Sequence, residues 1–370
     1  MRHFITSFLL SALAMLTVTS CIEPPLHLPE GPAEVETLLE VDIDIDVDLE
    51  TEWYYGWDDR DKEIFGEWDF TLPSSFQIRR YFTGSEPFTP HTSVLADAFD
   101  GKVYRASYDW GFWDLLTWND ITTLDGVQSL RFDEETSLDY VTAYTGQTMI
   151  AARYQSPRFT RSFYQPEMLY AAYNQGLEID KELTGFTYDE ERDVWVKHLN
   201  LKLRPLTYIY LTQVIVHHNR GRITGVDGNG NLSGMAQSVN MNSGVAGSTP
   251  ITVHYNVRFK TACDMNGESV DIAGGRLLTF GMCNVNGSRS EAAVDDGVHH
   301  YMDVDMIFNN GNDSTFVFDV TEQVRRKPRG GVITIELDAD TLTIPGRKGG
   351  SGFDAVVKDF EDGGTHEFEM

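Results

Sequence analysis

The chain has 370 residues, 41% of them hydrophobic and 12% aromatic, which excludes a disordered polymer and is enough material for about two domains. Lys+Arg 29 against Asp+Glu 57 gives a formal net charge of -28, which argues against nucleic acid as a partner and against electrostatic adsorption to anionic lipid.

At the amino terminus Arg2 precedes a mostly apolar run, Phe4 to Val18, that is short for a bilayer span and closes on the small residues Val18, Thr19 and Ser20 before Cys21. This is the arrangement of a lipobox. It predicts that residues 1–20 are a signal peptide, that Cys21 carries a lipid, and that acyl chains anchor the protein without a spanning helix. An ordinary secretory signal with Cys21 incidental is the alternative. Residues 21–36 hold Pro24, Pro25, Pro29 and Pro32, a composition that favours an extended tether.

From Val41 the sequence reads Val41-Asp42-Ile43-Asp44-Ile45-Asp46-Val47-Asp48-Leu49-Glu50. Such alternation predicts a strand with one apolar and one acidic face, the acidic side read as the solvated surface of a sheet. Further strands are expected at Phe76–Phe82, Lys102–Tyr108, Leu138–Thr145 and Leu169–Asn174, separated by Gly, Pro, Asn and Asp clusters, with helical periodicity scarce. Trp110, Trp113 and Trp118 belong to the densest aromatic patch. Core filling explains them, and an exposed platform for sugar rings is the alternative.

The polar turn Asp189–Asp193 is the expected domain boundary, giving 37–190 and 191–345. Beyond it, strands are expected at Leu206–His218, Asn231–Asn240, Ile251–Thr261, Gly275–Cys283, His300–Phe308, Ser314–Val320 and Gly331–Leu337. Gly228-Asn229-Gly230-Asn231 and Asn309-Asn310-Gly311-Asn312 supply turn chemistry. The class is all-β, and the regular spacing points to a sandwich or barrel. Residues 346–370 form a Gly-rich linker and a strand-like end, Thr365-His366-Glu367-Phe368-Glu369-Met370, a candidate donor strand.

No catalytic constellation is present: there is no nucleophile elbow, P-loop or dinucleotide fingerprint. The expectation is no enzyme, no cofactor and no metal. Asp227, Asn229 and Asn231 match the opening of a calcium loop, but Leu232 and Ser238 stand where Gly and Glu are needed. His217-His218 and His299-His300 each put one imidazole on a face, which reads as strand-end surface histidines. With Cys21 on lipid, Cys263 and Cys283 remain. They are a possible disulfide or two free thiols.

Four stretches carry a resemblance: Gly230-Asn231-Leu232-Ser233-Gly234-Met235-Ala236, Gly275-Arg276-Leu277-Leu278-Thr279-Phe280-Gly281-Met282-Cys283, Phe316-Val317-Phe318-Asp319-Val320-Thr321-Glu322-Gln323-Val324 and Ile333-Thr334-Ile335-Glu336-Leu337. In order and spacing they resemble the DUF5119 family of Bacteroidetes lipoproteins over about residues 195 to 345. That family is similar in turn to fimbrillin-type anchor and tip proteins. The resemblance implies two consecutive transthyretin-like β-sandwich domains, a lipid-anchored place in the outer membrane facing the cell surface, and fimbrillin-like pilus subunits as partners joined by strand donation. In such systems stalk subunits lose an amino-terminal strand by cleavage after Arg. Between Cys21 and Glu50 this chain has neither Lys nor Arg, which suits an anchor or accessory subunit. A glycan-binding lipoprotein using the tryptophans is the competing expectation.

Overall fold

The structure, a computed structural model, describes residues 39–47, 56–66, 72–87, 90–121, 128–134, 141–148, 162–285, 296–345 and 355–357. The first half gives β1 (Leu39–Val47), α1 (Asp59–Phe65), β2 (Ser75–Gly84), β3 (Ser93–Asp100), β4 (Val103–Ser107), β5 (Gly111–Asn119), β6 (Leu130–Asp133), β7 (Thr142–Thr145), β8 (Ser162–Phe163), β9 (Tyr170–Ile179), β10 (Thr187–Asp189) and β11 (Val194–Pro205). The alternating acidic stretch forms β1, an interior strand that runs parallel to β11 and antiparallel to β4. The unexpected α1 is started by a reciprocal capping box, in which Asp58 and Asp61 each accept the other's backbone N–H.

Eight of these strands make one sheet, ordered β3-β2-β5-β9-β11-β1-β4 with β10 beside β11. The two edges, β3 and β4, are joined by Gly101 and Lys102 alone. A link that short reaches only about 11 Å, so the sheet folds over until its edges lie side by side. Side chains lock the closure. Asp97 on β3 accepts from the Tyr104 hydroxyl on β4 and from Arg80 Nη2 at 2.8 Å, while Arg80 Nη1 donates to the Ser107 carbonyl at 3.0 Å.

The second half gives β12 (Tyr208–His217), β13 (Ile223–Ala236), β14 (Ser238–Asn240), β15 (Pro250–Asn256), β16 (Arg258–Met265), β17 (Glu268–Thr279), β18 (Tyr301–Phe308), β19 (Asp313–Asp319), α2 (Thr321–Arg326), β20 (Gly331–Asp338) and β21 (Ala355–Val357). Two sheets face each other, β16-β17-β12-β20 and β21-β19-β18-β13-β15-β8. Tyr210, Val214, Leu277 and Ile333 of the first pack on Leu232, Met302, Val304 and Phe318 of the second. This is a β-sandwich. The change of sheet falls at Leu206-Thr207, because β11 pairs with β1 and β9 while β12 opens the second sandwich. The stretch expected to turn at Gly228–Asn231 instead stays within β13, its extra residues absorbed by a register shift between Val226 and Gly230.

The two halves are interlocked. β12 is buried on both faces: Ile209 and Leu211 point away from the second core and meet Trp113, Leu115 and Leu203 of the first. A short sheet β14-β7-β6 and the pairing of β8 with β15 tie strands from one half to the other.

Candidate functional site

The edge of the second sandwich is where the chain adds a strand to a finished sheet. β18 and β19 form a hairpin whose turn is closed by Phe308 N–H to the Asn312 carbonyl at 2.8 Å and Gly311 N–H to the Phe308 carbonyl at 2.9 Å. Gly311 takes φ +78 there, a conformation that favours glycine. The turn has a second task. The side-chain amides of Asn310 and Asn312 both donate to the Pro345 carbonyl, at 2.7 and 3.0 Å. This clamp fixes where the following segment starts. β21 then lies parallel to β19, with Phe316, Val317 and Phe318 opposite Ala355, Val356 and Val357. Phe316 and Phe318 fill the core, so the acceptor strand is held rigidly from beneath.

The candidate donor strand Thr365–Met370 lies outside the described residues, as does Cys21. The segment seated at the edge is Ala355–Val357, upstream of the expected one. Its signal in the sequence was the Ala-Val-Val run after four glycines, and the signal for the clamp was a pair of Asn residues read only as turn formers.

The histidines do not behave alike. His300 is fully buried, not at the surface as expected, with Nε2 3.5 Å from the equally buried Asp296 carboxylate. Burial pushes the Asp296 carboxyl up, but hydrogen bonding to His300 and the Val298 N–H outweighs it and holds the group below the usual carboxylate range. His217 stands between Glu268 and Glu336, and His218 Nδ1 lies 3.2 Å from Asp338. One ligand atom each from His218, Asp338 and Asp340 falls within 4.8 Å of the others. Asp340 is already paired with Arg220 and Arg222, so the group is accounted for by local ion pairing. The calcium-like residues do not converge: Asp227 accepts from Asn229, whereas the Asn231 amide turns to Asp303.

The tryptophans form no common platform. Trp113 and Trp118 are each 2% exposed and lie in separate cores, and Trp110 alone is open, at 44%. The reason is parity: positions 113 and 118 of β5 face opposite sides of a strand covered on both. Trp118 is further covered by the Arg79 guanidinium, 4.7 Å from its ring. Cys263 and Cys283 are both free. Cys263 pairs with Val270 near the start of β17, and Cys283 follows its far end at Thr279. Nine residues of strand separate those points, about 30 Å, far beyond disulfide reach.

No protein-family model matches the sequence and no curated protein does; the likeness to the DUF5119 family rests on the four stretches quoted. Among solved structures, the chain is similar to a candidate adhesin from Bacteroides ovatus, with TM-score 0.47 and 17% identity over 82% of this chain and 93% of that one. It is similar to the fimbrial anchor protein Mfa2 from Porphyromonas gingivalis, with TM-score 0.34 and 10% identity over 81% and 90%. The tip fimbrial protein Mfa3 from the same organism gives TM-score 0.27 and 9% identity over 76% and 81%. Likenesses this loose carry no argument about what the chain does.

Proposed function

We propose that this chain is a lipid-anchored protein of the outer membrane, without enzymatic activity, that holds fimbrillin-like pilus subunits at the cell surface by strand donation. The observation that carries the reading is the seating of Ala355–Val357 on β19 beyond the Asn310/Asn312 clamp. Among the described residues the pairing covers three positions on each strand. Each main-chain hydrogen bond contributes a net of only about 1 kcal/mol, so Ala355–Val357 leaves β19 at a cost of a few such bonds. Pairing with a pilus subunit over a longer register offsets that cost. On this reading β19 stores the donor segment and keeps its own edge covered until a partner arrives.

The lipobox at Cys21 and the proline tether support a membrane anchor. The lack of Lys and Arg between Cys21 and Glu50 supports an amino terminus that is kept rather than cleaved. The test is fractionation of cells carrying the chain shortened after Pro345. Fimbriae are expected in the medium and the shortened protein in the membrane; fimbriae retained as in the wild type would reject the donor role of the tail.

A further inference from the structure

A cavity of about 460 Å³ opens between the outer face of the β16–β17 ladder and two segments from the first half of the chain, α1 and Tyr164-Gln165. Arg258 on β16 stands opposite Gly274 on β17. Lys260 and Arg276 lie two residues along from that pair, so all three cations rise from one face of the ladder. Gly274 leaves room for the Phe65 ring, whose Cζ lies 3.0 Å from the place a Cβ would take. Lys260 Nζ is 6.0 Å from that ring's centroid.

Among the described residues the lining contains Arg258, Lys260, Arg276 and His254 and no carboxylate, in a chain with 57 acidic residues against 29 basic ones. Among the described residues neither Arg258 nor Lys260 has an ion-pair partner. Arg276 is steadied by donation to the Gly66 carbonyl at 3.4 Å. Like charges gathered in one concavity repel, and an entering anion relieves that repulsion. Guanidinium groups suit the planar carboxylate. Tyr164 and Phe65, both half-buried in the wall, supply flat apolar ring surface beside those cations. The volume falls within the range of about 300–1,000 Å³ typical of small-molecule sites.

We propose that this cavity binds a carboxylate-bearing saccharide, with the acid group on Arg258 and Lys260 and a sugar ring against the aromatic wall. The site is separate from β19 and independent of strand donation. Its ligand is a sugar acid of the uronic type, a different chemistry from the neutral stacking that the tryptophan patch suggested.

Titration calorimetry on the full chain in detergent tests it, with trigalacturonate as the probe and its methyl ester as the neutral control. The acid form should bind and the ester should not. The double variant Arg258→Ser, Lys260→Ser, both exposed positions, should weaken binding at least about tenfold with an unchanged melting temperature, and raising salt from about 50 to about 300 mM should weaken it further. Equal binding of acid and ester, no heat at about 1 mM acid, or an undiminished double variant would overturn the proposal. Tighter binding of a glutamate-rich peptide than of the sugar at the same residues would overturn the ligand class.

Discussion

His217 on β12 and Glu336 on β20 meet at 2.5 Å, Nε2 to Oε2, and Glu268 on β17 faces the other ring nitrogen at 3.0 Å. Carboxylates at both nitrogens require both to be donors, which is the imidazolium form. Burial pulls the ring's pKa down, but the hydrogen bonds to Glu336 and Glu268 outweigh it and the value stands above the ordinary 6.5. The folded value exceeds the unfolded one, so the stabilisation is complete below pH 6.5 and is lost as pH rises through the folded value. The melting-temperature gap between wild type and His217→Gln, followed from about pH 5 to about pH 9, should be widest at the acidic end and close with rising pH. A gap independent of pH would contradict this.

Glu167 is 1% exposed and holds the end of β6 to the segment preceding β9. Its carboxylate accepts the Ser129 N–H at 2.6 Å, the Leu130 N–H at 2.8 Å and the Ser129 hydroxyl at 2.9 Å. Glu167→Ala leaves the Ser129 and Leu130 N–H groups buried without their acceptor, while the Ser129 hydroxyl keeps the Gln165 carbonyl at 2.6 Å, and the loss should be on the order of 3 kcal/mol in urea unfolding. Glu167→Gln, which keeps one acceptor oxygen, should lose clearly less. Equal losses would mean that the side chain's volume, not its hydrogen bonding, matters.

Gly234 sits at φ +87, and a Cβ there would lie 2.6 Å from His300 Nδ1 and 2.8 Å from the His299 carbonyl. Both the backbone angle and the space demand glycine. Gly234→Ala should destabilise by about 2 kcal/mol or more in the same assay, whereas Gly267→Ala, at φ +88 with open space around it, should show only the smaller backbone penalty.

Burial raises the pKa of both thiols, that of Cys283 up to about 12. Cys263 is half-buried and Cys283 wholly so. Alkylation of the folded protein without reductant, read by peptide mass spectrometry, should modify Cys263 first and Cys283 only on unfolding. A peptide pair linked through sulfur would refute the free-thiol assignment.

Much of the fold could be read from local pattern. The Val41–Glu50 alternation marks β1, and Asn309–Asn312 marks the β18–β19 hairpin, because side-chain period and turn chemistry are properties of a few consecutive residues. The misses are non-local. Gly228–Asn231 has the residues of a turn and becomes a bulge because β15 and β18 pair with β13 on both sides of it. The grouping of His217 with Glu268 and Glu336 joins residues 51 and 119 positions apart. Trp113 and Trp118 look like one patch along the chain, and only the coverage of both faces of β5 separates them into two cores. The basic cavity needs the register of β16 against β17 and the docking of α1, neither of which any local motif announces.

The most direct measurement is affinity recovery of the tagged chain from gently solubilised outer membranes, side by side with the chain shortened after Pro345, and mass spectrometry of what accompanies each. Strand donation by the tail predicts fimbrillin-like subunits with the full chain and their loss with the shortened one. Recovery of the same subunits with both, or of neither chain with any subunit, would contradict it.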